Sequence, residues 1–330
     1  MALILSKSDV VNVLEMNDVI EKLDYAFRDL SNGIALMPQR TPITIPHHTG
    51  LALFMPAYLK GMGALGIKTV TVYKDNPINF QLPTVLGTIL ILDEETGEPL
   101  ALMDGGYLTA VRTGAVAGLA TKYLSRQKSS THTLFGSGGM AVAQAIAIDA
   151  VRKIKKLIIF SLDSNEAKEA FANSLKEHIS SEIIIADDPE EAVKMADIVT
   201  LITSAKDPVV DGNWFRPGTH INGMGSHAPG MRELDAETIS KSKVVCDLVE
   251  ACKSEAGDFI IPVNTGEWNW NKAHGSLGDI VTGKIRSRES NEEITLFKSV
   301  GLAIQDISIA FSAYEKAKER NIGMDFDFSG

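Results

Sequence analysis

The spacing of apolar positions changes character along the 330 residues. Over residues 6–30 apolar side chains recur at three- and four-residue steps, with Ile20, Leu23, Phe27 and Leu30 on one stripe, and two short helices are predicted. Asp18, followed three residues on by Glu21, has the form of a capping box opening the second helix. Between 36 and 58, prolines at 38, 42, 46 and 56 punctuate extended runs such as 41–45 and 51–54, so antiparallel strands joined by turns are expected. Alternation continues through 66–73, 86–92 and 99–104, with Glu95-Thr96-Gly97-Glu98 as a hairpin turn. The front of the chain reads as helices followed by a mixed sheet.

From residue 131 strands and helices alternate strictly. Strands are expected at 131–135, 156–162, 183–186 and 198–202, helices at 140–151, 165–178 and 189–195, and further strands at 220–224 and 244–246. Such a rhythm implies crossover connections and a doubly wound parallel sheet of Rossmann type. The change of regime places a domain boundary in the Ala- and Gly-rich, helix-like stretch 108–124. After 290, Phe297, Val300, Ile304, Ile307, Phe311 and Tyr314 step along one face of a long helix that Gly323 would stop. A helix of that length can reach back to the first domain. The fold class expected is α/β, a Rossmann sheet plus an α+β domain.

With 45 % apolar and 22 % charged residues the chain has the chemistry of a globular protein, which excludes disorder and collagen-like repeats. The formal charge of -10 comes from scattered acidic residues and argues against nucleic acid as a partner. Cys246 and Cys252 are too few for a disulfide framework. His47 and His48 are adjacent, and no His-x-x-x-His or Cys-x-x-Cys occurs, so no metal is expected. The apolar start, residues 1–5, is too short for a signal peptide, and no run approaches the roughly 18 apolar residues of a membrane span. A cytoplasmic protein is expected, free of the membrane.

Gly136-Ser137-Gly138-Gly139-Met140-Ala141 is a G-x-G-x-x-A loop set between a predicted strand and a predicted helix. Chemistry needs those glycines so that the chain can turn tightly and its amides can approach a pyrophosphate at the helix N-terminus. No G-K-[ST] follows, which excludes a P-loop. At the end of the next strand Ser161 or Asp163 would meet the ribose. Asp163 serves either as ligand of the 2′-hydroxyl, favouring NAD, or as the cap of the following helix, whereas Ser161 in that place would tolerate the 2′-phosphate of NADP. No arginine follows to hold such a phosphate, and NAD is the expectation.

Three basic residues occupy unusual places: Arg40 among prolines, Lys68 inside an alternating strand, and Arg112 in an apolar, small-residue stretch. They are either surface cations or a group gathered for an anionic ligand. Guanidinium groups clamp carboxylates in a planar fork, and a lysine desolvated beside them would exchange protons near neutrality. His227 follows a predicted parallel strand, where open α/β sheets bind ligands.

Several stretches carry a family resemblance. They are Asn76-Pro77 with Leu82-Pro83-Thr84-Val85-Leu86-Gly87-Thr88, Gly97-Glu98-Pro99-Leu100-Ala101-Leu102-Met103-Asp104-Gly105 and Leu108-Thr109-Ala110-Val111-Arg112-Thr113, then the glycine loop. Further on come Gly225-Ser226-His227-Ala228-Pro229-Gly230-Met231-Arg232-Glu233-Leu234 and Leu277-Gly278-Asp279-Ile280-Val281-Thr282-Gly283-Lys284. In order and extent the chain resembles the ornithine cyclodeaminase/mu-crystallin family. That resemblance implies a homodimer with a substrate and dimerisation domain, residues 1–114 completed by helix 305–330, and a Rossmann domain over 115–304. It implies a nicotinamide cofactor acting at the Cα–N bond of a small amino or imino acid. Arg40, Lys68 and Arg112 match its carboxylate-binding and proton-handling group, and Met55 a pocket-lining position. Thr113, Met140, Thr203, Ser204, Met224, Gly225, Ser226 and Asp279 join the expected cofactor set.

One departure bears on the reaction. Cyclodeaminases resemble one another in an aspartate where this chain has His227, and imidazole supplies no negative charge to hold a cationic side-chain amine. Asp279 stands where glutamate is common. The expectation is therefore an imine reductase or amino-acid dehydrogenase, such as a ketimine or Δ1-pyrroline-2-carboxylate reductase or an alanine dehydrogenase, with Lys68 or His227 handling the proton. The alternatives are ornithine cyclodeaminase and a non-catalytic, mu-crystallin-like binder.

Overall fold

The computed structural model describes residues 1–328, and the chain divides into two compact units, Met1–Arg112 with the segment from Leu302 onward, and Thr113–Gly301. Among the described residues each unit is built on one eight-stranded sheet.

In the first unit the strands are β1 (Ala2–Leu5), β2 (Ala35–Leu36), β3 (Thr41–Ile45), β4 (Gly50–Leu59), β5 (Ala64–Tyr73), β6 (Val85–Leu92) and β7 (Pro99–Asp104). From one edge the order is the final strand Met324–Phe326, β1, β7, β6, β5, β4 and β2, with β3 paired to β4. All pairs are antiparallel except β1 with β7. The turn between β6 and β7 is the expected one: the Asp93 carboxylate accepts from the Glu95 and Thr96 amides, and Gly97 takes φ +77°. Along β5 the period of two puts Ala64, Gly66, Lys68 and Val70 on the buried face. The C-terminal helix, Ala303–Arg320, lies across that face, and a Cβ on Gly66 would come within 3.3 Å of Ile307 and 2.4 Å of the Leu90 carbonyl.

Three expectations fail here. The capping box belongs to Ser6 and Asp9 at the start of Lys7–Val13, and the next helix, Met16–Ser31, begins before Asp18, which instead receives Lys316. The long helix does not include Phe297 or Val300: Ile294–Lys298 is a parallel strand buried on both faces, so its apolar residues Ile294, Leu296 and Phe297 show no strict alternation to distinguish it from a helix. The helix ends at Arg320 with Asn321 left-handed at φ +53°, before Gly323. A further strand, β1, has only four residues, too few to show a period in the sequence.

In the second unit the strands are β8 (Thr131–Phe135), β9 (Lys156–Phe160), β10 (Glu182–Ile185), β11 (Ile198–Leu201), β12 (His220–Gly223), β13 (Ser242–Cys246), β14 (Ala273–Ser276) and β15 (Ile294–Lys298). All pair in parallel, in the order β10-β9-β8-β11-β12-β15-β13-β14. The chain runs outward from β8 to β10 and then returns to β11 beside β8, so the topological switch point, where such sheets take ligands, lies between β8 and β11. Helix Gly106–Leu124 runs through the division between the units. A Cβ on Gly114 would sit 2.3 Å from the Ala143 carbonyl, which explains the small residue at that approach.

A buried polar chain crosses four strands of this sheet. His132 Nε2 meets Thr200 Oγ1 at 3.0 Å, Asn222 donates to Thr200 and Thr121, and His220 bridges Asn222 at 3.1 Å and Thr295 at 2.9 Å. Burial pushes both histidines from 6.5 to about 3. The unfolded chain protonates below 6.5 while the folded one stays neutral, so stability is lost as pH falls from 6.5 towards 3, by about 1.4 kcal/mol per pH unit for each ring. Unfolding free energy measured at pH 7 and pH 5 should therefore drop, and the drop should shrink in His132→Gln. Equal stability at both values would contradict the assignment.

Candidate active site

The first unit gathers its charges on the inward face of β5. Lys68, 2 % exposed, is in register with Met55 of β4 and Ile89 of β6, so its neighbours within the sheet are apolar. Its Nζ donates to Asp306 Oδ1 at 2.9 Å. The same oxygen accepts Arg112 Nε at 3.0 Å, while Arg112 Nη1 donates to Gln305 Oε1 at 2.7 Å. Burial lowers the Lys68 amine to about 8; Asp306 raises it, and Arg112 and Arg40 lower it. Burial would push the Asp306 carboxyl up, yet the Arg112 and Lys68 charges hold it below the usual carboxylate range. A lysine with this midpoint carries a proton at neutrality and can release it there.

Of the residues singled out in the sequence, the first unit thus brings together Lys68, Arg112 and Met55, with half-buried Arg40 close enough for its charge to act on Lys68. Sequence reasoning misses Asp306 and Gln305. Their signal is two adjacent polar residues interrupting the apolar run 302–310, where a carboxylate requires a cation.

The second unit carries the glycine turn at the switch point. Gly136 has φ +105°, and a Cβ there would lie 2.7 Å from the Ile202 carbonyl. A Cβ placed on Gly138 or Gly139 would meet nothing within 4 Å, so the outer side of the turn is open. Helix Ala141–Val151 begins at Met140 without a side-chain cap. The Ser137 and Ser161 hydroxyls both bond to the Asp163 carboxylate, which these bonds hold below its usual range. The following helix is capped by Ser164, so Asp163 is not that cap. An open, uncapped glycine turn with an ionised carboxylate at the end of the neighbouring strand fits a dinucleotide.

Loops at the ends of β11 and β12 supply Thr203, Ser204, Met224, Gly225, Ser226 and His227. A fully buried carboxylate, Glu233, ties them: Oε1 accepts from Thr203 N at 2.6 Å and Thr203 Oγ1 at 2.8 Å, Oε2 from Gly225 N at 2.7 Å and Ser226 N at 3.1 Å. Burial pushes its pKa up. Asp258 braces the assembly, accepting the Glu233 amide at 2.6 Å and Lys298 Nζ at 2.7 Å. His227 is exposed and meets the Gly225 carbonyl through Nδ1 at 2.8 Å; a carbonyl only accepts, so Nδ1 carries the proton. Thr113 opens this unit, and Asp279 lies half-buried in the first turn of Leu277–Val281. Glu233 stands inside a family motif without an evident role in the sequence, because its partners are backbone amides. Among the described residues no three His, Cys, Asp or Glu side chains are grouped to hold a metal ion.

A wholly parallel sheet with a glycine turn at its switch point, in a chain whose other unit is α+β and holds a buried cation cluster, defines an α/β protein of the Rossmann class. The family model for ornithine cyclodeaminase/mu-crystallin matches residues 1–321. Δ1-Pyrroline-2-carboxylate reductase of Bacillus cereus is 39 % identical over 327 residues, 99 % of this chain and 100 % of that protein. The structure of the Thermococcus litoralis enzyme of the same name, in complex with NADH and L-proline, superposes with a TM-score of 0.94 at 43 % identity, covering 98 % of this chain and 100 % of that one. An archaeal alanine dehydrogenase dimer with bound NAD gives 0.93 at 34 % identity, covering 99 % of each chain. The chain belongs to the ornithine cyclodeaminase/mu-crystallin family, as its motifs imply.

Proposed function

We propose that the protein is an NAD-dependent reductase of a small cyclic α-imino acid, with Δ1-pyrroline-2-carboxylate, reduced to proline, as the substrate that fits best. The observation that carries this reading is the buried Lys68–Asp306–Arg112 cluster: two cations share one carboxylate oxygen, and a substrate carboxylate meets net positive charge beside a lysine able to give up a proton near neutrality. The named relatives agree with it.

Arg112, its Nε and Nη1 anchored on Asp306 and Gln305, keeps further N–H groups for the substrate carboxylate, and Arg40 adds a second positive charge. Lys68 holds the proton delivered to the imine nitrogen, making Cα more electrophilic; His227 is the other proton carrier assigned to the site. Met55 lines the apolar side of the pocket. Gly136, Ser137, Gly138, Gly139 and Met140 would hold the pyrophosphate, Ser161 and Asp163 the adenine-side ribose, and Thr113, Thr203, Ser204, Met224, Gly225, Ser226 and Asp279 the remainder of the dinucleotide. When bound, the reduced nicotinamide supplies a hydride to the substrate Cα. The ionised Asp163 carboxylate repels a 2′-phosphate and favours NAD over NADP.

His227 in place of an aspartate speaks against ornithine cyclodeamination. The same reading makes the protein a cytoplasmic homodimer joined through the first unit, where Ile43, Ile78, Phe80 and Leu82 are exposed. Neither nucleic acid nor membrane enters it; no helix among the described residues is long and apolar enough to cross a membrane.

Absorbance at 340 nm tests the proposal. NADH should be consumed in step with proline formed from the imine, faster than NADPH is, and faster than with pyruvate plus ammonia. Proline and ammonia formed from ornithine without net absorbance change would favour the cyclodeaminase; NADH binding without turnover of any imine or keto acid would favour a binder.

A further inference from the structure

We propose that Asp306 is a positioning residue for the reduction: from the start of the C-terminal helix it keeps Lys68 protonated and fixes Arg112 beside it. This rests on the reductase reading for its kinetic consequence, but not for its structural one. The geometry differs from that of a carboxylate used as a staple. Asp247 and Asp258 in the second unit are surrounded by donors: Asp247 Oδ2 alone accepts Ser299 Oγ and the Val300 and Gly301 amides, and Asp258 engages both oxygens. Asp306 is as deeply buried, yet both cations converge on Oδ1 while Oδ2 has no partner. Its neighbour Gln305 repeats the pattern, with Oε1 on Arg112 and a buried, unpartnered Nε2. Buried polar atoms left unmatched are costly, and here they accompany the orientation of two charged groups.

Around Lys68 the balance is delicate. The strand neighbours Met55 and Ile89 are apolar; Arg40 from the segment before β3 and Arg112 from helix Gly106–Leu124 are positive; Asp306 is the anion. Without Asp306, burial and two guanidinium charges all favour the neutral amine. A neutral lysine cannot protonate the imine, so the reduction would fail on the alkaline side first.

The experiment compares the full-length protein with Asp306→Asn and Asp306→Glu by two readouts. Carbon NMR of the lysine side chains, with Lys68→Met for assignment, titrates Lys68 directly; the midpoint should fall by at least about one pH unit in Asp306→Asn and return in Asp306→Glu. In the imine assay the alkaline limb of kcat should move with it, so that Asp306→Asn loses about tenfold at pH 9 but less than about twofold at pH 6. A uniform loss at every pH with the limb in place, or an unmoved Lys68 midpoint, would overturn the proposal. Should Asp306→Asn fail to fold, the Asp306 carboxyl carbon of the unmodified protein must show a step at the Lys68 midpoint, and its absence overturns the coupling. If no imine is turned over, the reductase reading falls while the titrations still decide the role of Asp306.

Discussion

Replacing Lys68 by methionine should lower kcat for imine reduction by about 10³-fold while the dissociation constant for NADH changes little. Proton delivery by a placed side chain is worth roughly 10²–10⁴-fold, and methionine matches the length and apolar stem of lysine without the proton. The substitution also leaves Asp306 with one cation instead of two. Arg112 still holds it, so the protein should fold, at a cost of about 3 kcal/mol for breaking a buried pair. Thermal unfolding and NADH fluorescence titration separate the effects. Retention of more than a tenth of the activity would remove Lys68 from the chemistry and leave His227 as the proton carrier.

Gly225→Ala should abolish cofactor binding over the accessible range, raising the NADH dissociation constant by at least about 100-fold. A Cβ at this position would lie 2.1 Å from the Thr203 carbonyl, 2.5 Å from its nitrogen and 2.5 Å from Glu233 Oε1. Two of those neighbours are backbone, so the strain cannot be relieved by rotating a side chain. The loops after β11 and β12 must separate, and the buried Glu233 carboxyl loses its amide donors as they do. Displacement on this scale costs about 3 kcal/mol, and each 1.4 kcal/mol is tenfold in affinity. Gly230→Ala in the same loop, where nothing lies within 4 Å, is the control and should bind NADH normally. Equal affinities for both variants would show that the two loops do not hold the dinucleotide.

The two sheets are legible in the sequence for different reasons. Parallel strands separated by short helices announce themselves by rhythm, and the G-x-G-x-x-A turn falls where that rhythm requires it. The antiparallel part is marked by prolines and by the hairpin at Gly97. What escapes is marked by neither period nor punctuation: short strands such as β1, β14 and Met324–Phe326, and β15, whose apolar residues merge in sequence with the stripe of the helix after it. In the site, Lys68 stands out as a charge inside an alternating strand and Arg112 as a charge in an apolar, small-residue stretch. Asp306 is likewise a charge among apolar residues but is hidden within a helix whose apolar stripe dominates the pattern. Glu233 cannot be read, since a side chain bonded to backbone amides has no partner to be sought in the sequence.

The first unit closes upon itself only through the far end of the chain. Lys68 and the carboxylate that partners it are 238 residues apart, and the final strand Met324–Phe326 pairs with β1. On the ribosome, the amino-terminal part of this unit emerges long before the piece that neutralises its buried amine, while all of Thr113–Gly301 is made in between. The second unit can mature during translation, but the first must wait for the segment from Leu302 onward. Chains cut short before Leu302 would keep the glycine turn and lose the carboxylate that partners Lys68, so the order of synthesis leaves the buried charge pair of the first unit to be made last.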